Sequence, residues 1–314
     1  MNELAEQGKE KSGLVAVRWI GTILSIAVMV YLLSKVGWRE ALESFGQIPW
    51  WMFLVFILIG LTSRFATFGR WNSLLSASAE KMSWKDSLKL TFAGLFASNV
   101  LPTTIGGDVV RLAGAIRLGG SGSLAAASLV VDRLIGMTGM TLMLPFAVRF
   151  LPLLQKDEAS LQAMLGIGLF GKIKAWFLKS LEKVWLSVKR WIHQPLSLVK
   201  GLGFTLIHQL CVYLVIKLFI NAMGEDLPIL TIAGIWSLTY FITLLPISIN
   251  GLGLQEVTVT NLFSVMGGIS VSTSIALAIF LRILWMLVSL PGAFFVGDLL
   301  AGKKDPINEE SKPE

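Results

Sequence analysis

Six ionisable residues stand in or beside apolar stretches of this sequence: Asp108, Arg111, Asp132, Arg133, Glu256 and Arg282. In hydrocarbon each costs on the order of 3 kcal/mol by insertion scales, so each calls for a partner, a polar ligand or a cavity. Asp108 and Arg111 are three residues apart and can pair on one helix face, which would equally suit a helix-end salt bridge at the membrane surface. Arg133 and Arg282 sit near the middles of long apolar runs, where snorkelling to water is hardest. Two chemistries fit them. The guanidinium fork can bond two oxygens of an anionic ligand, phosphate above all; alternatively Asp108 and Glu256 serve as their counter-charges. No catalytic constellation emerges: there is no P-loop, no HExxH and no GxSxG, and GGSGS at 119–123 has neither the lysine nor the strand of a phosphate loop. If the chain modified a lipid it would need a general base, and Asp108 or Glu256 could serve. His193 and His208 are too few and too badly spaced for a metal cage. The expectation is a protein without catalytic residues, metal or cofactor.

Composition supplies the premise that these are membrane charges. The 314 residues are 54% hydrophobic and only 15% charged, against roughly 25% in soluble proteins. Mean hydropathy is +0.71. That composition implies an all-α, polytopic helical bundle. A net charge of +7 would point to nucleic acid in a soluble chain. Here the cations cluster between apolar runs, so the expected partners are membrane lipids, anionic phospholipid first, and not nucleic acid. Cys211 has no second cysteine to pair with and should pack inside a helix. The polar N-terminus lacks a small-residue cleavage site after the first apolar run, so no cleaved signal peptide is expected.

Apolar runs fall at about 14–34, 50–69, 88–118, 122–149, 159–171, 202–220, 228–247, 254–267 and 272–297, all within one transmembrane domain over 14–298. The third is broken at Leu101-Pro102 and Gly106-Gly107, the seventh at LPISINGLG. Pro49-Trp50-Trp51 reads as an interfacial aromatic anchor, and Arg64 as a snorkelling cation at the inner end of its span. Residues 171–200 carry lysines on one helical face and Phe177, Leu181, Trp185, Val188 and Ile192 on the other, with Pro195 ending the pattern. That is an amphipathic linker lying on the membrane surface. Residues 1–13 and 299–314 are polar, the latter a disordered tail. Lys/Arg counts place both termini, 70–89 and 171–200 in the cytoplasm of a cell whose plasma membrane holds the protein. Six spans satisfy this if the broken regions re-enter, and ten if they cross.

The broken regions match one another. LPTTIGGDVVR followed by SLAAASLVVDRL parallels LPISINGLGLQE followed by TSIALAIFLRIL, with Pro102 against Pro246 and Arg133 against Arg282. The units, about 84–149 and 228–297, begin on opposite sides of the membrane and so form an inverted repeat, an arrangement recurrent in transporters. Pro102 removes a backbone donor and Gly106-Gly107 would permit the sharp reversal of a re-entrant tip.

In SNVLPTTIGGDVVR, VVDRL, LLPISINGLGLQE and the late LR, the chain resembles the lysylphosphatidylglycerol synthase transmembrane family of flippase-like proteins, over about 15–298. The resemblance implies translocation of a phospholipid or another anionic amphiphile between leaflets, without the soluble aminoacyl-transfer domain of the bifunctional relatives. It singles out Asn99, Pro102, Gly106, Gly107, Asp108, Arg111, Asp132, Arg133, Pro246, Gly251, Gly253, Glu256 and Arg282. Asn250 stands where a glycine is usual, and Gln255 where an arginine commonly precedes the Glu. The rival readings are an intramembrane lipid-modifying transferase and a non-catalytic partner of a separately encoded cell-envelope lipid or glycosyl-transfer enzyme.

Overall fold

A computed structural model describes residues 48–77, 82–101, 105–148, 194–244 and 251–301, together with Gly46 and Trp191. The first apolar run, the weak run at 159–171, most of the amphipathic linker, Pro102, Pro246 and the tail beyond Ala301 lie outside the described residues.

The described chain is helical. Its elements are α1 (Trp50–Ala77), α2 (Trp84–Val100), α3 (Gly106–Arg117), α4 (Gly122–Met143), the short α5 (Pro145–Val148), α6 (Pro195–Ala222), α7 (Ile229–Thr243), α8 (Leu254–Val265), α9 (Val271–Leu287) and α10 (Pro291–Ala301). Among the described residues, four stretches are long and apolar enough to cross a membrane: Trp50–Ala77, Gly122–Ala147, Pro195–Ala222 and Val271–Val296. By contrast α3 and α8 have 12 residues each. At 1.5 Å per residue that is about 18 Å, well short of the ~30 Å hydrocarbon core, so neither crosses alone.

Two boundaries differ from the sequence reading. The second apolar run continues past Arg70 because Trp71, Leu74 and Leu75 keep the helical apolar period, and all three are buried. Pro195 does not close an element; it occupies the first turn of α6, where its missing N–H has no helical partner to lose. Trp50 and Trp51 are exposed at the start of α1, as an interfacial anchor would be.

Serine caps set the starts of three helices. The Ser83 hydroxyl accepts from the Asp86 N–H at 3.1 Å, and those of Ser121 and Ser270 accept from Leu124 and Thr273. Ser270 is itself held by Glu225, whose carboxylate accepts from its N–H at 2.9 Å and its hydroxyl at 2.7 Å. Burial acts to raise the Glu225 carboxyl, but hydrogen bonds from Thr273 and Ser270 outweigh it and hold the group below the usual carboxylate range.

Apolar packing concentrates where α1, α6, α7, α8 and α9 meet. Phe219 stacks on Phe280 with centroids 4.7 Å apart, and Phe56 meets Phe280 edge-on at 4.7 Å. Among lipid tails such contacts act through close packing, since burial from water is no longer the driving force. Cys211 is buried in α6. A smaller cluster of Trp71, Leu75, Leu90, Ala115, Ala125 and Leu129 ties α1 to α2, α3 and α4.

The two broken regions use glycine differently. Gly251 and Gly253 have φ of +68° and +75°, a left-handed backbone that other residues adopt at a cost. Gly106 and Gly107 do not form a reversal, contrary to the sequence expectation; they lie in the first turn of α3. Gly107 is required by proximity: a Cβ there would collide with the Gly94 carbonyl and the Ser98 side chain on α2.

Candidate functional site

Tight packing of α3 on α2 carries a polar consequence. Gly94 lacks a side chain where the stem of Arg111 passes, and a Cβ would sit 2.7 Å from Arg111 Cγ. Arg111, 6% exposed, is thereby folded inward over the Trp71 ring, its guanidinium carbon 4.2 Å from the centroid. The indole N–H of Trp71 donates to Ser128 on α4 at 3.1 Å, so the platform is fixed.

Around Arg111 runs a chain of alternating charges. Arg70 on α1 grips Asp132 on α4 through its side fork, Nε to Oδ1 at 2.7 Å and Nη2 to Oδ2 at 3.1 Å. Arg111 Nη1 reaches Asp132 at 3.5 Å and Asp108 at 3.4 Å. Asp108 in turn accepts from Arg133 on α4, at 2.8 Å from Nε and 2.7 Å from Nη2. The order is Arg70, Asp132, Arg111, Asp108, Arg133, spanning three helices. A Cβ at Gly136 would come within 3.1 Å of Arg70 Nη1, so this glycine, too, makes room for a guanidinium.

These groups border a cavity of about 210 Å³. Its wall also includes Arg64, Thr205, His208, Gln209 and Tyr240, from α1, α6 and α7. Arg64 lies over Trp285 at 4.9 Å and donates to its carbonyl at 3.2 Å. It therefore faces protein, where the sequence suggested snorkelling. His208 meets the Ser63 hydroxyl through Nδ1 at 2.7 Å. Formal charges on the wall are four arginines against Asp108 and Asp132, a surplus of two positive charges with His208 neutral. Several buried polar atoms have no hydrogen-bond partner among the described residues: Nε and Nη2 of Arg111, Nε of Arg64, and both amide atoms of Gln209.

The residues singled out from sequence divide into two places. Asp108, Arg111, Asp132 and Arg133 meet at the cavity, with Gly107 in its wall. Glu256 and Arg282 do not border it; they pair with each other, Nε to Oε1 at 2.5 Å, and Arg282 Nη2 donates to the Gly251 carbonyl at 3.3 Å. The two mid-helix arginines thus do not share one ligand pocket, and each has a carboxylate partner. Asn99 lies in the last turn of α2 with a buried amide nitrogen that has no partner among the described residues. No group of three or more His, Cys, Asp or Glu that could hold a metal occurs among the described residues.

The two units nevertheless correspond in register. Asp108 and Glu256 each stand third in a 12-residue helix, and Arg133 and Arg282 each follow the first residue of their helix, Gly122 or Val271, by eleven positions. Each acid pairs with its unit's arginine.

Sequence reasoning missed Arg70, Thr205, Gln209 and Tyr240, and misplaced Arg64. For Arg70 a signal was present, since the apolar period persists for a further turn beyond it. Gln209 and Tyr240 are lone polar residues in apolar helices, and nothing in their spacing marks them.

Comparison with known families finds a match over residues 18–292 to the family described as the lysylphosphatidylglycerol synthase TM region. Comparison with curated proteins finds no match.

Proposed function

Because the chain belongs to the lysylphosphatidylglycerol synthase transmembrane family, we propose that this multi-pass membrane protein translocates a phosphate-bearing amphiphilic lipid between leaflets of the cytoplasmic membrane. The observation that carries this reading is the cationic cavity set among apolar helices. A lipid crossing a bilayer needs shelter for its head while its tails stay in hydrocarbon. A cavity of about 210 Å³ has room for a phosphate and a small substituent but not for acyl chains. The arginines offer charge-assisted donors where water is scarce.

The matched register of the two units supports an inverted repeat, in which α2–α3–α4 and α7–α8–α9 rock against one another about the site. The acid–arginine pair of each unit would then tie its short helix to its long one during the motion. Translocation in this reading breaks no covalent bond.

The test is reconstitution of the pure protein in liposomes carrying a trace of phosphatidylglycerol or, separately, phosphatidic acid, each labelled on one acyl chain, with a membrane-impermeant quencher added outside. Translocation exposes more than half of the label to the quencher over minutes. Accessibility fixed at one half for both lipids, with protein shown to be folded and inserted, would overturn the reading. Activity that appears only with a co-purified enzyme would reassign the protein as that enzyme's membrane partner.

A further inference from the structure

The arginines of the cavity are not equivalent. Arg70 and Arg133 each hold a carboxylate at 2.8 Å or closer. Arg111 touches both acids only at 3.4 and 3.5 Å, through one nitrogen, and both acids already have a nearer guanidinium. Its side fork, the Nε and Nη2 pair with which Arg70 grips Asp132, has no acceptor among the described residues. A buried guanidinium in that condition lacks hydrogen bonds it would have in water, a loss that an arriving oxyanion restores. Arg64 has no carboxylate within ion-pair distance among the described residues, and its Nε has no acceptor there. Both side chains lie over indole rings, which fix them without neutralising them.

Four guanidiniums and two carboxylates therefore leave two uncompensated charges, and the two arginines that carry them border one cavity. We propose that the cavity binds a doubly charged phosphate group, a phosphomonoester, with Arg111 and Arg64 as its recognising cations. A phosphodiester head brings one negative charge and leaves one cation unmatched. A lysyl-bearing head, positive overall, is repelled. The neutral amide of Gln209, also without partners among the described residues, borders the same space and suits the remaining polar part of the head. This inference rests on the translocation reading for the identity of the cargo as a lipid, but the charge match does not depend on it.

The experiment measures binding to the wild-type protein in nanodiscs of phosphatidylcholine, with oleoyl lysophosphatidic acid, oleoyl lysophosphatidylglycerol and inorganic phosphate as probes. At pH 8 the monoester should bind at least tenfold more tightly than the diester of the same chain. At pH 5.5 the preference should shrink, because the second phosphate proton titrates near about pH 6. Arg111→Gln and Arg64→Gln should each reduce monoester affinity about tenfold and leave diester affinity less affected. Equal affinity for the two lipids at pH 8, or a preference insensitive to pH, overturns the proposal without needing any variant to fold. Inorganic phosphate binding as tightly as the monoester supports the charge match and overturns the lipid as its source. Selective binding without quencher-detected translocation refutes the transport reading alone; translocation of phosphatidylglycerol without monoester preference refutes this inference alone.

Discussion

Replacing Asp132 by Asn removes the carboxylate that holds α1 to α4. Asp132 is 2% exposed, and its partner Arg70 has a side chain 12% exposed. The substitution keeps the shape and deletes one negative charge, leaving Arg70 without its bidentate acceptor and Arg111 with Asp108 alone. Removing one partner of a buried, hydrogen-bonded pair costs about 3–5 kcal/mol. Large domains lose roughly 2 °C of midpoint per kcal/mol, so the melting temperature should fall by about 6–10 °C. The assay is thermal unfolding of detergent-solubilised protein, wild type against Asp132→Asn, Arg70→Gln and the double variant. The double should recover at least half of the loss, because the stranded charge goes with its partner. A fall below about 2 °C in the single variant, or a double variant as unstable as the sum of the singles, would refute the reading of this pair as a buried clamp.

The second unit offers a comparison: Arg282→Leu strands Glu256, whose Oε2 has no partner among the described residues, and Glu256→Gln in the same chain should restore most of the lost melting temperature. Arg133→Leu should cost less than Arg282→Leu in the same melts, because Asp108 keeps Arg111 at 3.4 Å. Gly107→Ala should destabilise by about 1–3 kcal/mol through overpacking against α2, whereas Gly203→Ala, with nothing within 4 Å, should be neutral or slightly stabilising; comparable melting temperatures for the two would contradict the close approach. The Glu225 bond to Ser270 is a carboxylate with a lowered pKa, so its stabilisation is complete above the unfolded value near about 4.3 and lost as pH falls through the lower folded value. The melting difference between wild type and Glu225→Gln should thus be constant from pH 8 to 5 and close below about pH 4.

Much of the architecture was legible because apolar runs and breaks are one-dimensional signals. The breaks at Leu101-Pro102 and at LPISINGLG, the long span at 122–149 and the two matching units could be read from residue order. Position across the bundle could not. Nothing in sequence says that Arg70 turns toward Asp132, since that depends on α1 packing against α4, 62 residues away. Arg64 was assigned to the surface because a span of about twenty residues is the default length, whereas α1 runs for 28. The roles of Gly106 and Gly107 were misjudged for a related reason. Glycine serves both reversal and close approach, and only the neighbouring helix, here through Gly94, decides between them.

Asp132 and Arg133 are consecutive on α4, yet they answer to different neighbours: Asp132 to α1, Arg133 to α3. Adjacent helical residues point about 100° apart, so the pair fixes the rotation of α4 about its own axis with respect to two other helices at once. This restricts how the gene can change. A single-codon deletion between Gly122 and Asp132 would turn both side chains by that angle relative to the Ser121 cap, and neither contact would survive. Codons in this stretch can be exchanged, but their number cannot. Length variation in this lineage should accumulate outside the stretch from Ser121 to Arg133, with that interval held constant.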